Sequence, residues 1–501
     1  MASDSPTATT DSSTADDIRQ RALIDRSTKL PVLFFLTSAV SWLLLATILG
    51  LIASVKIFEP GFLDWDWLYF LHFGRLQPAF TNAFVYGWAF QVGLGVMIWL
   101  MARLCRSPLR NPWTLIVAGH FWNIGLTLGI LGIFFGGNTS MEWLEFPPYV
   151  WPLMLVAYSI VAVWMIVMFR ARRSDHVYIS VWYLLGACVW FPWAYLTANV
   201  FLHVFEGVPV MSYGIAAWYK STVTLLFFVP VGLASSYYIV PKITGRPIYN
   251  YQLASLGFWA LAGLAGWAGY TQLMGGPIPV WMPALSSGAA ILLLIPMGAV
   301  SLNFHFTTRG QHRLVESSPA LRFTFMAGLA FSLWIFLKAI GATFPVSRFT
   351  QFTIATEGLD MLVLYGFFSM AMFGAIYYIV PRLVGCEWFS AKIIRNHFWF
   401  SVYGVGAITC VLYFGGLAQG ASIDAWDRGQ VGAVEISKAW LVGRTVAWIF
   451  LAYSNLMFLV HLTLMILRLG RRSAQPTLLS HAALDAPEST SPHPPATAIP
   501  G

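Results

Sequence analysis

Charge is what this chain has little of. Only 10% of its 501 residues are Asp, Glu, Lys or Arg, against 58% hydrophobic. A soluble domain carries about 25% charged residues. So little charge cannot cover the outside of a soluble body this large, and lipid must solvate much of the surface. Cysteine is scarce too. Cys105, Cys188, Cys386 and Cys410 form no CxxC pair and read as four unpaired thiols, with neither a disulfide framework nor a zinc site. No Walker loop, dinucleotide-binding glycine fingerprint or HExxH is present, which leaves no ATPase or soluble-enzyme motif. There is no short-period repeat, and none of the ten histidines forms an HxH, HH or HxxxH pair.

What the chain does have is long apolar stretches, rich in aromatics and tolerant of glycine and proline, as membrane helices are. Crossing a bilayer takes about 20 such residues. Twelve stretches qualify: 31–57, 79–104, 112–137, 148–170, 177–205, 212–241, 251–275, 280–304, 321–345, 352–381, 393–418 and 439–469. The fold class is therefore all-α, a polytopic membrane bundle of about twelve transmembrane helices. Residues 31–470 form its one domain, flanked by tails at 1–30 and 471–501 whose polar, low-complexity ends predict disorder. The polar N-terminus followed by a full-length span does not read as a cleavable signal peptide.

The net charge of +8 could suggest nucleic acid, but its placement gives another meaning. Lys56, Arg75, Arg348, Arg428 and Lys438 lie on one side of the predicted membrane, and Lys220, Lys338 and Arg444 lie within spans. All the other Lys and Arg fall on the opposite side. By the positive-inside rule that side, with both termini, is cytoplasmic. The partner this implies is the lipid bilayer, with no nucleic acid.

Four segments carry a family resemblance: FGRLQPAFTNAF (73–84), the long AWYKST…VPKITGRP…FWAL run (217–261), GAIYYIVPRLVG (374–385) and NHFWF (396–400). Over residues 60–470 the chain resembles subunit I of the C-family haem–copper oxygen reductases, the cbb-type cytochrome c oxidases. The resemblance implies a twelve-helix bundle in a bacterial inner membrane, haem b and copper as cofactors, and membrane-anchored c-type cytochromes among its partners. It also implies six metal-binding histidines, and at every matching position this chain has something else. The family's GRLxPxH places a haem ligand at Phe80 and its WWYGH a copper ligand at Ser221. Its WAGPHH pair falls on Thr271 and Gln272, and its HVH on Leu359 and Met361. The cross-linked tyrosine falls on Ala265, and a helix-nine glutamate on Lys338. Arg75 and Arg444 match family arginines.

Haem iron needs an axial nitrogen, sulfur or oxygen donor, and copper of this type prefers imidazole. Phe80 and Leu359 cannot donate. Met361 has a thioether but no opposing ligand at Phe80, and reads as packing. Ser221, Thr271 and Gln272 are weak neutral ligands. No cofactor is expected and no catalytic residue is assigned.

Charges inside a membrane are costly and usually paired or functional. Counting about 1.5 Å per residue, Lys220, Lys338, Glu357 and Asp360 share one layer in the outer half. One reading is a buried charge network that replaces the metals. The other is a set of snorkelling helix-end residues or isolated pairs. Three functions follow. The first is a non-catalytic subunit or assembly scaffold of a respiratory electron-transport complex. The second is a working terminal oxidase that reduces oxygen with electrons from cytochrome c, as the family name alone suggests. The third is a proton- or ion-conducting protein built on the oxidase scaffold.

Overall fold

The computed structural model describes residues 8–205, 209–425 and 429–470. The charge-poor segments fold as long helices, the conformation that satisfies every backbone group within one segment. In chain order they are α1 (Ala8–Lys56), α2 (Phe73–Leu104), α3 (Pro112–Phe134), α4 (Trp151–Arg170), α5 (Ile179–His203), α6 (Pro209–Thr244), α7 (Tyr251–Leu264), α8 (Trp281–Thr308), α9 (Pro319–Gly341), α10 (Ala355–Val384), α11 (Ala391–Asp424) and α12 (Gly429–Ile466). Among the described residues, eleven of these are long and apolar enough to cross a membrane; α7 is not.

The expected span at 251–275 is thus a helix of 14 residues followed by two short 3₁₀ turns, Ala265–Trp267 and Tyr270–Leu273. Fourteen residues rise about 21 Å. Gly263, Gly266 and Gly269 weaken the helix here. Neighbouring helices then fix the turns. Trp218 of α6 donates its indole N–H to the Gly266 carbonyl, and Ser286 of α8 donates to the Trp267 carbonyl. Gly269 lies so close to the Trp218 backbone that a β-carbon would stand 2.7 Å from it.

The N-terminal tail also differs from expectation. From Ala8 it is helix, continuous with the first span. Asp25 is the reason at its inner end: it is 1% exposed, accepts from the Trp99 indole at 3.0 Å and pairs with Arg103 at 3.0 Å. That anchors the segment on α2. Residues 1–7 and 471–501, the rest of the two expected tails, lie outside the described residues.

Three helices form the centre. The apolar windows of α2 and α10 are wholly buried and that of α6 is 94% buried, whereas the other nine helices line the outside. Each central helix contains a π-helical stretch: Ala83–Ala89, Thr224–Phe228 and Leu362–Ser369. Such wide turns often mark functional helices. The three run in the same direction and share a signature at the Arg- and Lys-rich end. YYIVPKITG (237–245) and YYIVPRLVG (377–385) both end on a left-handed glycine, Gly245 at φ 66° and Gly385 at φ 79°, the usual close of a helix. Tyr238, Tyr378 and Trp99 form a triangle of rings with centroids 5.5, 6.0 and 6.1 Å apart. One turn further on, Lys242, Arg382 and Arg103 stand at equivalent positions. The chain therefore carries a long-period parallel repeat.

Candidate functional site

The site begins at Lys220 on α6. Its side chain is nearly enclosed, at 4% exposure, and a buried ammonium needs counter-charge in contact. Asp360 Oδ2 lies 2.5 Å from Lys220 Nζ and Glu142 Oε1 lies 2.7 Å away. The Trp143 ring sits 5.8 Å from the same nitrogen, a weaker cation–π contact. Asp360 comes from the first turns of α10. Glu142 and Trp143 come from the loop joining α3 to α4. This loop folds inward because Trp143 is buried and its carbonyl accepts from Tyr86 of α2 at 2.6 Å. The Tyr86 hydroxyl also meets that of Tyr219, next to Lys220, at 2.7 Å.

Beside this triad is a cavity of about 60 Å³, walled by α6, the turns after α7, α9, the short helix Phe344–Thr350 and α10. Lys220, Ser221, Thr271, Gln272, Lys338, Leu359 and Asp360 all line it. These residues, singled out from distant parts of the sequence, meet in one place. Lys338 donates to Ser221 Oγ at 3.5 Å and lies 5.7 Å from the Trp334 ring. Among the described residues no carboxylate stands within 4.0 Å of it.

The four expected charges do not form one network. Glu357 turns away from both lysines to Arg444 of α12, at 2.6 Å. Arg444 is wholly buried, and its Nε and Nη1 have no protein partner. Only Lys220 and Asp360 make the expected contact, and Glu142 completes it. Glu142 escaped notice because it is a loop residue with a half-exposed side chain. The signal was in MEWLE (141–145), two carboxylates in an apolar chain. The second of these, Glu145, is buried outside the membrane spans and accepts from Asn82 at 2.8 Å. Burial pushes its carboxyl up to about 8, and the Asn82 hydrogen bond opposes that only in part. Arg75 serves structure: it donates to the Phe134 carbonyl at the end of α3 at 2.8 Å.

Phe80 occupies a different setting. Its ring packs 5.1 Å from Trp448 of α12 and against α1 at Gly50, where a β-carbon would meet it at 2.9 Å. Phe84 and a stacked Tyr365 continue the aromatic fill. Met361 is buried in the core. This donor set does not fit haem or copper. Phe80 and Leu359 offer no lone pair, Ser221 and Thr271 donate to the Ala268 carbonyl at 3.3 and 3.5 Å, and a lysine already satisfied by carboxylates stands beside Ser221. Among the described residues no group of three or more His, Cys, Asp or Glu is placed to hold a metal ion.

Comparisons with known proteins agree with this architecture. Residues 30–450 match the family described as cytochrome C and quinol oxidase polypeptide I. The Cbb3-type cytochrome c oxidase subunit CcoN1 of Stutzerimonas stutzeri is 28% identical over 407 residues, which is 77% of this chain and 82% of that protein. A bacteroid cytochrome c oxidase subunit 1 homolog of Bradyrhizobium diazoefficiens is 28% identical over 409 residues, 78% of this chain and 72% of its own length. The cryo-EM structure of a heme-copper terminal oxidase dimer shares the fold, with a TM-score of 0.65 at 14% identity over 92% of this chain and 86% of that one.

Proposed function

This chain belongs to the cytochrome c and quinol oxidase polypeptide I family, and from that premise we propose that it is a metal-free member, a non-catalytic subunit or assembly scaffold of a respiratory electron-transport complex in a bacterial inner membrane. One observation carries the reading. The Lys220–Asp360 ion pair, 2.5 Å long, lines the same cavity as Ser221 and Leu359, two positions where relatives are expected to hold metal. An ammonium held there by two carboxylates takes up the space beside these positions and engages the nearby carboxylate in an ion pair in place of a metal. The retained membrane fold would then serve other subunits. Membrane-anchored c-type cytochromes are the partners the relationship suggests, and both chain ends belong on the cytoplasmic side by their Lys and Arg.

The test is a metal and haem assay on the purified chain. Pyridine haemochrome spectra and elemental analysis should find no stoichiometric haem or copper, while an affinity-tagged chain should co-purify c-type cytochromes from native membranes. Two haems per chain would overturn the proposal in favour of a working terminal oxidase. An ion-conducting role is disfavoured by a layer of rings among the central helices. Phe90, Phe227, Phe228 and Phe368 pack together between the central helices, at centroid distances of 4.2 to 5.2 Å, an apolar layer that a conducting path would have to pass.

A further inference from the structure

We infer that the cavity beside Lys220 is a binding site for a small monovalent anion held by Lys338; this rests on the reading that neither haem nor copper fills the space.

The charge balance is the first argument. Inside the cavity Asp360 is taken up by Lys220, at 2.5 Å. The other carboxylate on Lys220, Glu142, has 57% of its side chain exposed, so water screens much of its charge. Both carboxylates are spent on Lys220, and the charge of Lys338 has neither in contact. Lys338 is the cation without a carboxylate in contact among the described residues. An ammonium has three N–H donors. One reaches Ser221 at the long distance of 3.5 Å, and the Trp334 ring at 5.7 Å gives a face but no acceptor. An anion in the cavity would supply both the missing charge and the missing acceptors.

Size and lining set the class of ligand. A water needs about 10–15 Å³ of this kind of volume, so 60 Å³ holds a chloride or an oxoanion of three or four non-hydrogen atoms, and nothing as large as gluconate. The hydroxyls of Thr224, Thr271 and Thr356 also line the space. So does Gln351, whose side-chain oxygen is buried without a partner while its amide nitrogen donates to the Thr271 carbonyl at 2.8 Å. Hydrogen carbonate, nitrate and chloride are each small enough for this space, and each can accept from the Lys338 ammonium.

The experiment uses the full-length chain in detergent, after haem and copper have been assayed in the same preparation. Unfolding is followed by heat in the sodium salts of hydrogen carbonate, nitrate, chloride and gluconate at fixed pH and ionic strength. The expected result is a saturable rise in Tm with the small anions, absent with gluconate. Lys338→Met should lose that rise, and Lys338→Arg should keep it. A second measurement needs no variant: bromide soaked into the wild-type chain should give anomalous scattering beside Lys338. Equal responses to all four salts, a rise that survives Lys338→Met, or an empty cavity in saturating bromide would each overturn the inference while leaving the metal-free reading intact. Stoichiometric haem would remove both.

Discussion

Two regions of this molecule stand where the family resemblance puts metal ligands, and they differ in kind. Around Phe80 the space is closed: phenyl and indole rings from α2, α10 and α12 fill it against the backbone of α1 at Gly50. Around Lys220 the space stays open, and its walls carry charge. Losing a large apolar group such as a porphyrin leaves a void whose surroundings gain by collapsing onto it. Losing a bound ion leaves a charge defect, which only another charge can mend. On the proposed metal-free reading, the chain shows one remedy at each place.

That contrast can be attacked residue by residue. The largest effect should come from Phe80→Ala, which reopens a closed region and should cost about 3–5 kcal/mol. Leu359→Ala, beside a cavity that already exists, should cost less than half as much. Equal losses in thermal unfolding would mean the two regions are packed alike. Next, Lys220→Met leaves Asp360 and Glu142 facing each other and should cost about 3 kcal/mol. The double variant Lys220→Met/Asp360→Leu should recover most of that. If it does not, the pair does more than balance charge.

A third test is the pH dependence set by Glu145, which accepts from Asn82. Its carboxyl is pushed up to about 8 in the folded chain from an ordinary 4.5. The folded state therefore holds a proton that the unfolded state releases. The stabilisation is complete below pH 4.5 and is lost as pH rises toward 8. The slope approaches 1.4 kcal/mol per pH unit within that window. Glu145→Gln should flatten the curve of Tm against pH between 5 and 8, and an unchanged slope would mean the carboxyl is already ionised.

Much of this was legible from residue spacing. Apolar length located the spans because each must cross about 30 Å of hydrocarbon. Lys220 and Asp360 could be matched in depth because both lie on helices of fixed rise. The misses have physical causes as well. α7 fails as a span because its glycines yield to hydrogen bonds from Trp218 and Ser286, which are tertiary facts. Glu142 reaches Lys220 along a loop, and a loop path has no period to read. Glu357 goes to Arg444 because of how α10 and α12 are rotated, whereas depth counting sees only height. The parallel repeat was written openly in YYIVPKITG and YYIVPRLVG, but at a separation far longer than the periods of solenoid proteins.

The three central helices have a consequence for how the molecule comes into being. They are widely separated along the chain, so a ribosome delivers α2 early, α6 midway and α10 late. Until α10 enters the membrane, Phe228 and Trp88 lack the ring and hydroxyl partners that Phe368 and Ser369 give them. α10 is a keystone in this sense: chains cut short before Val384 should insert readily yet stay loosely assembled and open to proteolysis, and closure of the bundle should coincide with the arrival of that one helix.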